Sequence, residues 1–272
     1  MGLFNPSNQT LQNWSHWGNG SDGNVIIAVD TTLGRNMQYA NLTVNTGITL
    51  NTHGYIVLVS GQLINRGHIM DDGVLRTPGH TLIGGTGFWG AVGGVGDGAD
   101  GTGDMTESVG GGSGDGGTSP TNAPGSGVGA GVDAAHAPVV LQAILACRFL
   151  YDFFFAYDFG VLSGASGPAG AGNGAGKPGG NGGGAGGFIS IIARILNNTL
   201  GVISANGGNG SHPLAGNAGG GGGGGGGFVQ TISTNIPGGT ITANGGLGGV
   251  GIGTGGDGLA GNNGTVIQIQ TV

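Results

Sequence analysis

Charge is what this sequence has least of. Aspartate, glutamate, lysine and arginine make up 7% of the 272 residues, and only six of them are basic. A surface that tracks phosphate needs many Lys and Arg together, so nucleic acid is not an expected partner. The same scarcity argues against a disordered chain, which usually stays solvated through high net charge and has few β-branched residues. The formal charge of −7 chiefly aids solubility and weakly disfavours anionic partners. Cysteine occurs once, as Cys147, which excludes an intrachain disulfide framework and a thiolate metal quartet and leaves the compartment unread. The start, Met1-Gly2-Leu3-Phe4-Asn5-Pro6, has neither a basic n-region nor an apolar h-region. A protein of this kind working outside a cell is expected to leave by lysis or by assembly into a particle. Also missing are a carboxylate pair, a nucleophile with its base and a phosphate-cradling loop; Gly176-Lys177 runs into Pro178 rather than Ser or Thr. No catalytic, cofactor-binding or metal-binding residue is therefore assigned, no cofactor is expected, and an enzyme is not the expected class.

What is abundant is glycine, 72 of 272 residues. Nine stand in a row from Gly219 to Gly227 and run directly into Phe228-Val229-Gln230-Thr231-Ile232-Ser233. A segment without side chains has no hydrophobic face and loses the most conformational freedom on folding, so its order must come from neighbours. The arrangement recurs: 160–187 precedes Phe188-Ile189-Ser190-Ile191-Ile192, and 245–264 precedes Thr265-Val266-Ile267-Gln268-Ile269. Gly-Val-Ile-Ser-Ala-Asn-Gly-Gly at 201–208 returns as Gly-Thr-Ile-Thr-Ala-Asn-Gly-Gly at 239–246, a repeat of close to 40 residues. The glycines follow no Gly-X-Y triplet, which excludes collagen. The expected form is polyglycine in the extended three-residue-per-turn helix, several segments side by side, because bare backbones approach closely enough to hydrogen-bond. A flexible linker is the competing reading.

The chain divides as follows. Residues 1–23 form an N-terminal arm, with Trp14 and Trp17 as docking anchors or, alternatively, an aromatic sugar-binding shelf. Residues 24–83 are β-rich: Val25, Ile27 and Val29 alternate, as do Leu42 and Val44, Ile48 and Leu50, and Tyr55, Val57 and Val59. Turns fall at Asn45-Thr46-Gly47, Asn51-Thr52-His53-Gly54 and Asn65-Arg66-Gly67, where Asn and Gly tolerate positive φ. Successive rungs of a β-solenoid fit this spacing, and so does a small sandwich. His53, His68 and His80 sit in or beside turns with no metal-ligand spacing and read as solvated turn histidines. Residues 84–133 are a Gly-rich excursion. Its Gly93-Gly94-Val95-Gly96-Asp97 misplaces by one the aspartate of calcium-binding solenoid repeats, so calcium is not assigned. Residues 160–272 are a Gly-rich repeat domain of β coils and glycine blades.

Residues 134–159 contain no glycine. Asp133 as N-cap, Pro138 in the first turn and Gly160 at the end predict one long helix. Arg148, Asp152 and Asp158 punctuate its apolar run, so burial, with Leu150 and Phe154 at a subunit interface, is expected rather than a membrane span. The fold class expected is thus mostly β, with β-solenoid-like short strands, packed polyglycine II excursions and one long helix. Where a blade turns back, the residues with side chains are candidate receptor-facing tips: His212 and Leu214 in one excursion, Ile252 in the next.

The string from Asn19 to Ile27, the stretch Met37-Gln38-Tyr39-Ala40-Asn41-Leu42-Thr43-Val44-Asn45-Thr46-Gly47-Ile48-Thr49-Leu50-Asn51-Thr52-His53-Gly54-Tyr55 and the later glycine blades resemble glycine-rich tail-fibre and minor structural proteins of tailed bacteriophages. The glycine part is also similar in style to phage tail-tip adhesins built from polyglycine helices, although here the region predicted as a helix interrupts the glycine regions, so no receptor contact is carried over. The resemblance implies a non-enzymatic virion protein, a fibre, spike or tail-tip component on the extracellular particle. It would touch other virion proteins, assemble as a homo-oligomer with a trimer favoured, and meet a host surface receptor or glycan. A secreted or cell-surface Gly-rich adhesin or an ice-binding protein is the alternative.

Overall fold

The computed structural model describes residues 17–73, Gly164, Gly167, Gly170 and 179–271. Twelve short strands carry this part of the chain: β1 (Asn24–Ile27), β2 (Thr31–Thr32), β3 (Met37–Tyr39), β4 (Asn41–Val44), β5 (Thr49–Asn51), β6 (Ile56–Asn65), β7 (His68–Met70), β8 (Phe188–Asn197), β9 (Val202–Ser204), β10 (Phe228–Ser233), β11 (Thr240–Thr242) and β12 (Thr265–Gln270). They form two sheets. One has the order β1-β4-β6-β8-β10-β12, with β3 also paired to β6; the other has the order β11-β9-β7-β5-β2. Every pairing is parallel.

Parallel neighbours need a long connection. Here much of each connection is a visit to the other sheet, since from β4 onward the chain alternates between the two. The register then places like residues above one another. Val25, Leu42, Leu63 and Leu196 align in one sheet, and Leu50, Ile69, Ile203 and Ile241 in the other. These aliphatic columns face each other and form the core, with Leu42, Leu63, Leu196, Leu50, Ile69 and Ile203 fully buried. The alternation gives each strand a face toward this core, and the first four residues of β8 and of β10 are buried on both faces.

β6 pairs with β4 on one side and with β8 on the other, so the first β-rich stretch and the C-terminal repeat region share a sheet. The register of β6 against β8 shifts between Val59 and Gln62. Gly61 lies in that irregularity because a Cβ there would stand 2.4 Å from Asn41 Oδ1 and 2.6 Å from the Ala40 carbonyl.

The corners differ from the expectation in detail. Positive φ is taken by Gly47, Gly54 and, among non-glycine residues, His53, rather than by the turn asparagines. Asparagine serves as a side-chain rung instead: buried Asn65 Nδ2 donates to Asn198 Oδ1 at 2.7 Å, and Asn198 Nδ2 donates to the Thr240 carbonyl at 3.3 Å. His68 does lie beside the Arg66-Gly67 turn, as the first residue of β7, but it is not simply solvated: its Nε2 is 2.6 Å from Ser204 Oγ. The partner comes from β9, the neighbouring strand in the sheet, 136 residues further along the chain.

No helix occurs among the described residues. The predicted helix over 134–159 with Leu150 and Phe154, the Gly-rich excursion over 84–133, and Trp14 lie outside them. Among the described residues no helix is long and apolar enough to cross a membrane.

Candidate functional site

Five glycine-rich segments leave the strand ends or return to them: 180–187 into β8, 205–211 out of β9, 219–227 into β10, 243–250 out of β11 and 255–264 into β12. Their backbone hydrogen bonds recur every third residue. Gly180, Gly183 and Gly186 donate to the carbonyls of Gly219, Gly222 and Gly225, and Gly220, Gly223 and Gly226 donate onward to Gly256, Leu259 and Asn262. From the side, Gly221, Gly224 and Gly227 donate to Ser211, Gly208 and Ala205, while Gly246 and Gly249 donate to Gly224 and Gly221.

The nine-glycine run is the centre of this array. It bonds to all four other segments, and Gly164, Gly167 and Gly170 lie close against its carbonyls on a further side. All nine residues are buried. Glycine is required because a Cβ on Gly223 or Gly224 would fall 2.1 Å from a neighbouring carbonyl oxygen, inside any permissible contact. With three residues per turn, only one residue in three can face outward from a segment flanked on two sides. Asn244, Leu247 and Val250 occupy that outward row on 243–250 and are exposed, whereas Gly245 and Gly248 face 255–264, and Gly246 and Gly249 face 205–211.

A row of side chains binds this outward row. Asn244 N–H donates to Asn206 Oδ1 at 2.8 Å, Leu247 N–H to Asn209 Oδ1 at 2.8 Å, and Val250 N–H to His212 Nδ1 at 2.7 Å. Each pair is 38 residues apart. At the end of the array Gly245 N–H is held by Asn263 Oδ1 at 3.0 Å and Gly251 N–H by Asp257 Oδ1 at 2.8 Å.

The tips are the two reversals, 211–218 and 250–255. Gly216 and Gly253 take positive φ, as tight reversals need. Asn217 Oδ1 accepts the Thr254 N–H at 3.3 Å, and Ile252 N–H donates to the Ala218 carbonyl at 3.0 Å, so each loop braces the other. The structure thus brings His212 and Ile252 to one place, through the His212–Val250 bond and the Ile252–Ala218 bond. Leu214 is 81% exposed and Ile252 is 37% exposed, so both reversals carry an apolar side chain at the surface. Trp17 is half-buried at the other end of the described chain, next to Gly18, whose backbone passes against Leu58. Sequence reasoning missed Asn206, Asn209, Asn217, Asp257 and Asn263. Their signal was the three-residue spacing of Asn206, Asn209 and His212 set against the 38-residue repeat.

A second polar cluster lies where β7 ends. Asp72 Oδ2 accepts from Ser204 Oγ at 2.8 Å and Asp72 Oδ1 from Asn206 N–H at 2.6 Å. Ser204 Oγ donates its one proton to Asp72 Oδ2, which leaves it only an acceptor toward His68 Nε2. A nucleophilic serine needs the reverse, an imidazole that accepts its proton. Ser204 is also buried, so these groups act as polar pins between β7 and β9. Asp71 beside them is fully buried, accepts Phe188 N–H through Oδ2 at 3.1 Å, and has no partner on Oδ1. Burial in this setting pushes its carboxyl up to about 7, against the lowering effect of the Phe188 amide. Among the described residues no three His, Cys, Asp or Glu side chains gather as a metal centre.

In comparisons with protein-family models, curated proteins and solved structures, nothing matches this chain.

Proposed function

We propose that this protein is a non-enzymatic structural component of a tailed-bacteriophage virion, a fibre, spike or tail-tip element that contributes to host-surface attachment. The observation that carries the reading is the glycine array with its paired tips. A framework of backbone hydrogen bonds around nine bare glycines presents Leu214, Val250 and Ile252 on two mutually braced loops. In-register parallel strands that alternate between two sheets support a β-solenoid, and the three-residue hydrogen-bond period supports polyglycine II segments. At about 3.1 Å per residue, eight residues of such a segment carry a tip roughly 25 Å from the sheet ends. Rigid scaffolds that carry short variable loops are a common plan for recognition. Other virion proteins and a host receptor or glycan are the partners of this reading, in a homo-oligomer with a trimer favoured.

Two measurements test it together. Light scattering combined with small-angle X-ray scattering should give a stable, elongated trimer; a flexible monomer would remove the fibre reading. A fluorescent fusion applied to a panel of intact bacterial cells should label some strains. The double variant Leu214→Asp/Ile252→Asp should lose at least about tenfold in labelling while melting like the parent. Equal labelling by both proteins would sink the tip as the attachment site.

A further inference from the structure

The row of acceptors along 205–212 uses asparagine twice and histidine once. Asn206 and Asn209 each offer an amide oxygen, which accepts at any pH. At the third place, the one on the tip, His212 offers Nδ1. A ring nitrogen accepts only while it carries no proton. The same Nδ1 lies 3.2 Å from the Val250 carbonyl, so the residue across from it supplies both a donor and an acceptor.

We propose that His212 is a proton-operated switch in the tip. In the neutral form Nδ1 holds the Val250 amide and ties the two reversals together. Protonation converts Nδ1 from acceptor to donor: the Val250 N–H is released, and the new Nδ1–H turns to the Val250 carbonyl. The loop 250–254, with Ile252 on it, then loses one of the bonds that fix its position against 211–218. Among the described residues, little else around the tip titrates. The segments packed around the tip, 180–187, 205–217, 219–227 and 243–257, contain one other ionisable side chain, Asp257, which is engaged with Gly251 N–H. What the switch regulates, the presentation of Leu214, Val250 and Ile252 to a host surface, rests on the attachment reading; the switch itself does not.

The test is amide hydrogen exchange of the intact protein at pH 8 and pH 5, corrected for intrinsic exchange rates, with the 15N shift of His212 Nδ1 read in parallel. Protection of the Val250 amide should fall roughly tenfold at pH 5, the loss of about one hydrogen bond. The Asn244 and Leu247 amides, held by Asn206 and Asn209, should keep their protection in the same sample. In His212→Asn the Val250 amide should be protected alike at both pH values. Unchanged Val250 protection in the parent at pH 5, or the same loss in His212→Asn, would overturn the proposal. No host surface enters this measurement, so its failure is separate from failure of cell labelling.

Discussion

At the scale of single residues, the glycines divide into those the packing demands and those it does not. Gly223→Ala would drive a Cβ to 2.1 Å from the Gly246 carbonyl, with only backbone on the far side to give way. It should destabilise by about 3 kcal/mol or more and broaden or split the melting transition. Gly34 has open space where its Cβ would be and no positive φ. Gly34→Ala should leave the melting temperature unchanged or raise it, a gain of about 0.4–1 kcal/mol from the unfolded state. Differential scanning calorimetry of the two variants checks the contrast.

Asp71 makes a separate prediction at the same scale. Its carboxyl is raised in the fold from 3.8 to about 7, so the folded state holds the proton more tightly than the unfolded chain. Its stabilising effect is complete below about pH 4 and is lost as pH rises through about 7, a swing on the order of 4 kcal/mol. Asparagine keeps an acceptor for Phe188 N–H and carries no charge. Asp71→Asn should therefore flatten the fall in stability between pH 5 and pH 8 and be more stable than the parent at pH 8, measured by denaturant titration at each pH. An unchanged slope would show that another group titrates.

At the scale of elements, strands and glycine segments answer to different rules. A strand holds its place through its column of aliphatic side chains, so Leu63→Ala, between Leu42 and Leu196, should cost about 2–5 kcal/mol in chemical denaturation. A glycine segment holds its place through amide partners, and the terminal one has a gap. Asp257 and Asn263 hold Gly251 and Gly245 N–H, while Ala260, midway between them, has no acceptor to offer Gly248. Ala260→Asn should complete the row and stabilise the protein by about 0.5–1.5 kcal/mol, visible as added protection of the Gly248 amide.

Much of this level was legible in the sequence. The strands around Val57, Ile189, Val229 and Ile267 followed from alternation, and the dependence of Gly219–Gly227 on neighbours followed from its having no side chains. The 38-residue spacing that seats Asn206 beside Asn244 was visible as a repeat. What was not legible sits between strands that are neighbours in a sheet but distant in sequence. His68 meets Ser204 at a separation of 136 residues, Asp71 meets Phe188 at 117, and Asn65 meets Asn198 at 133. Those contacts depend on which strand lies above β6 and β7. Periodicity gives a strand its inward face but does not say which distant strand will stack on it. The tips were found as interruptions of glycine, yet the bond that joins His212 to Val250 needed the register of two segments.

At the scale of the whole molecule, two kinds of interior are joined end to end: an aliphatic core between sheets and an array of bare peptide backbone. Unfolding the first exposes hydrocarbon, which raises the heat capacity. Unfolding the second exposes mainly amide, which lowers it. The full chain should therefore unfold with a heat-capacity increment clearly below the roughly 12–15 cal/mol/K per residue of ordinary domains, and calorimetry across a pH or denaturant series measures this directly. An ordinary increment would mean that the glycine segments do not melt with the core. A small increment flattens the dependence of stability on temperature. Cold acts most on hydrocarbon burial, and with a smaller share of hydrocarbon in its interior this protein should keep a native state that loses little as water approaches freezing.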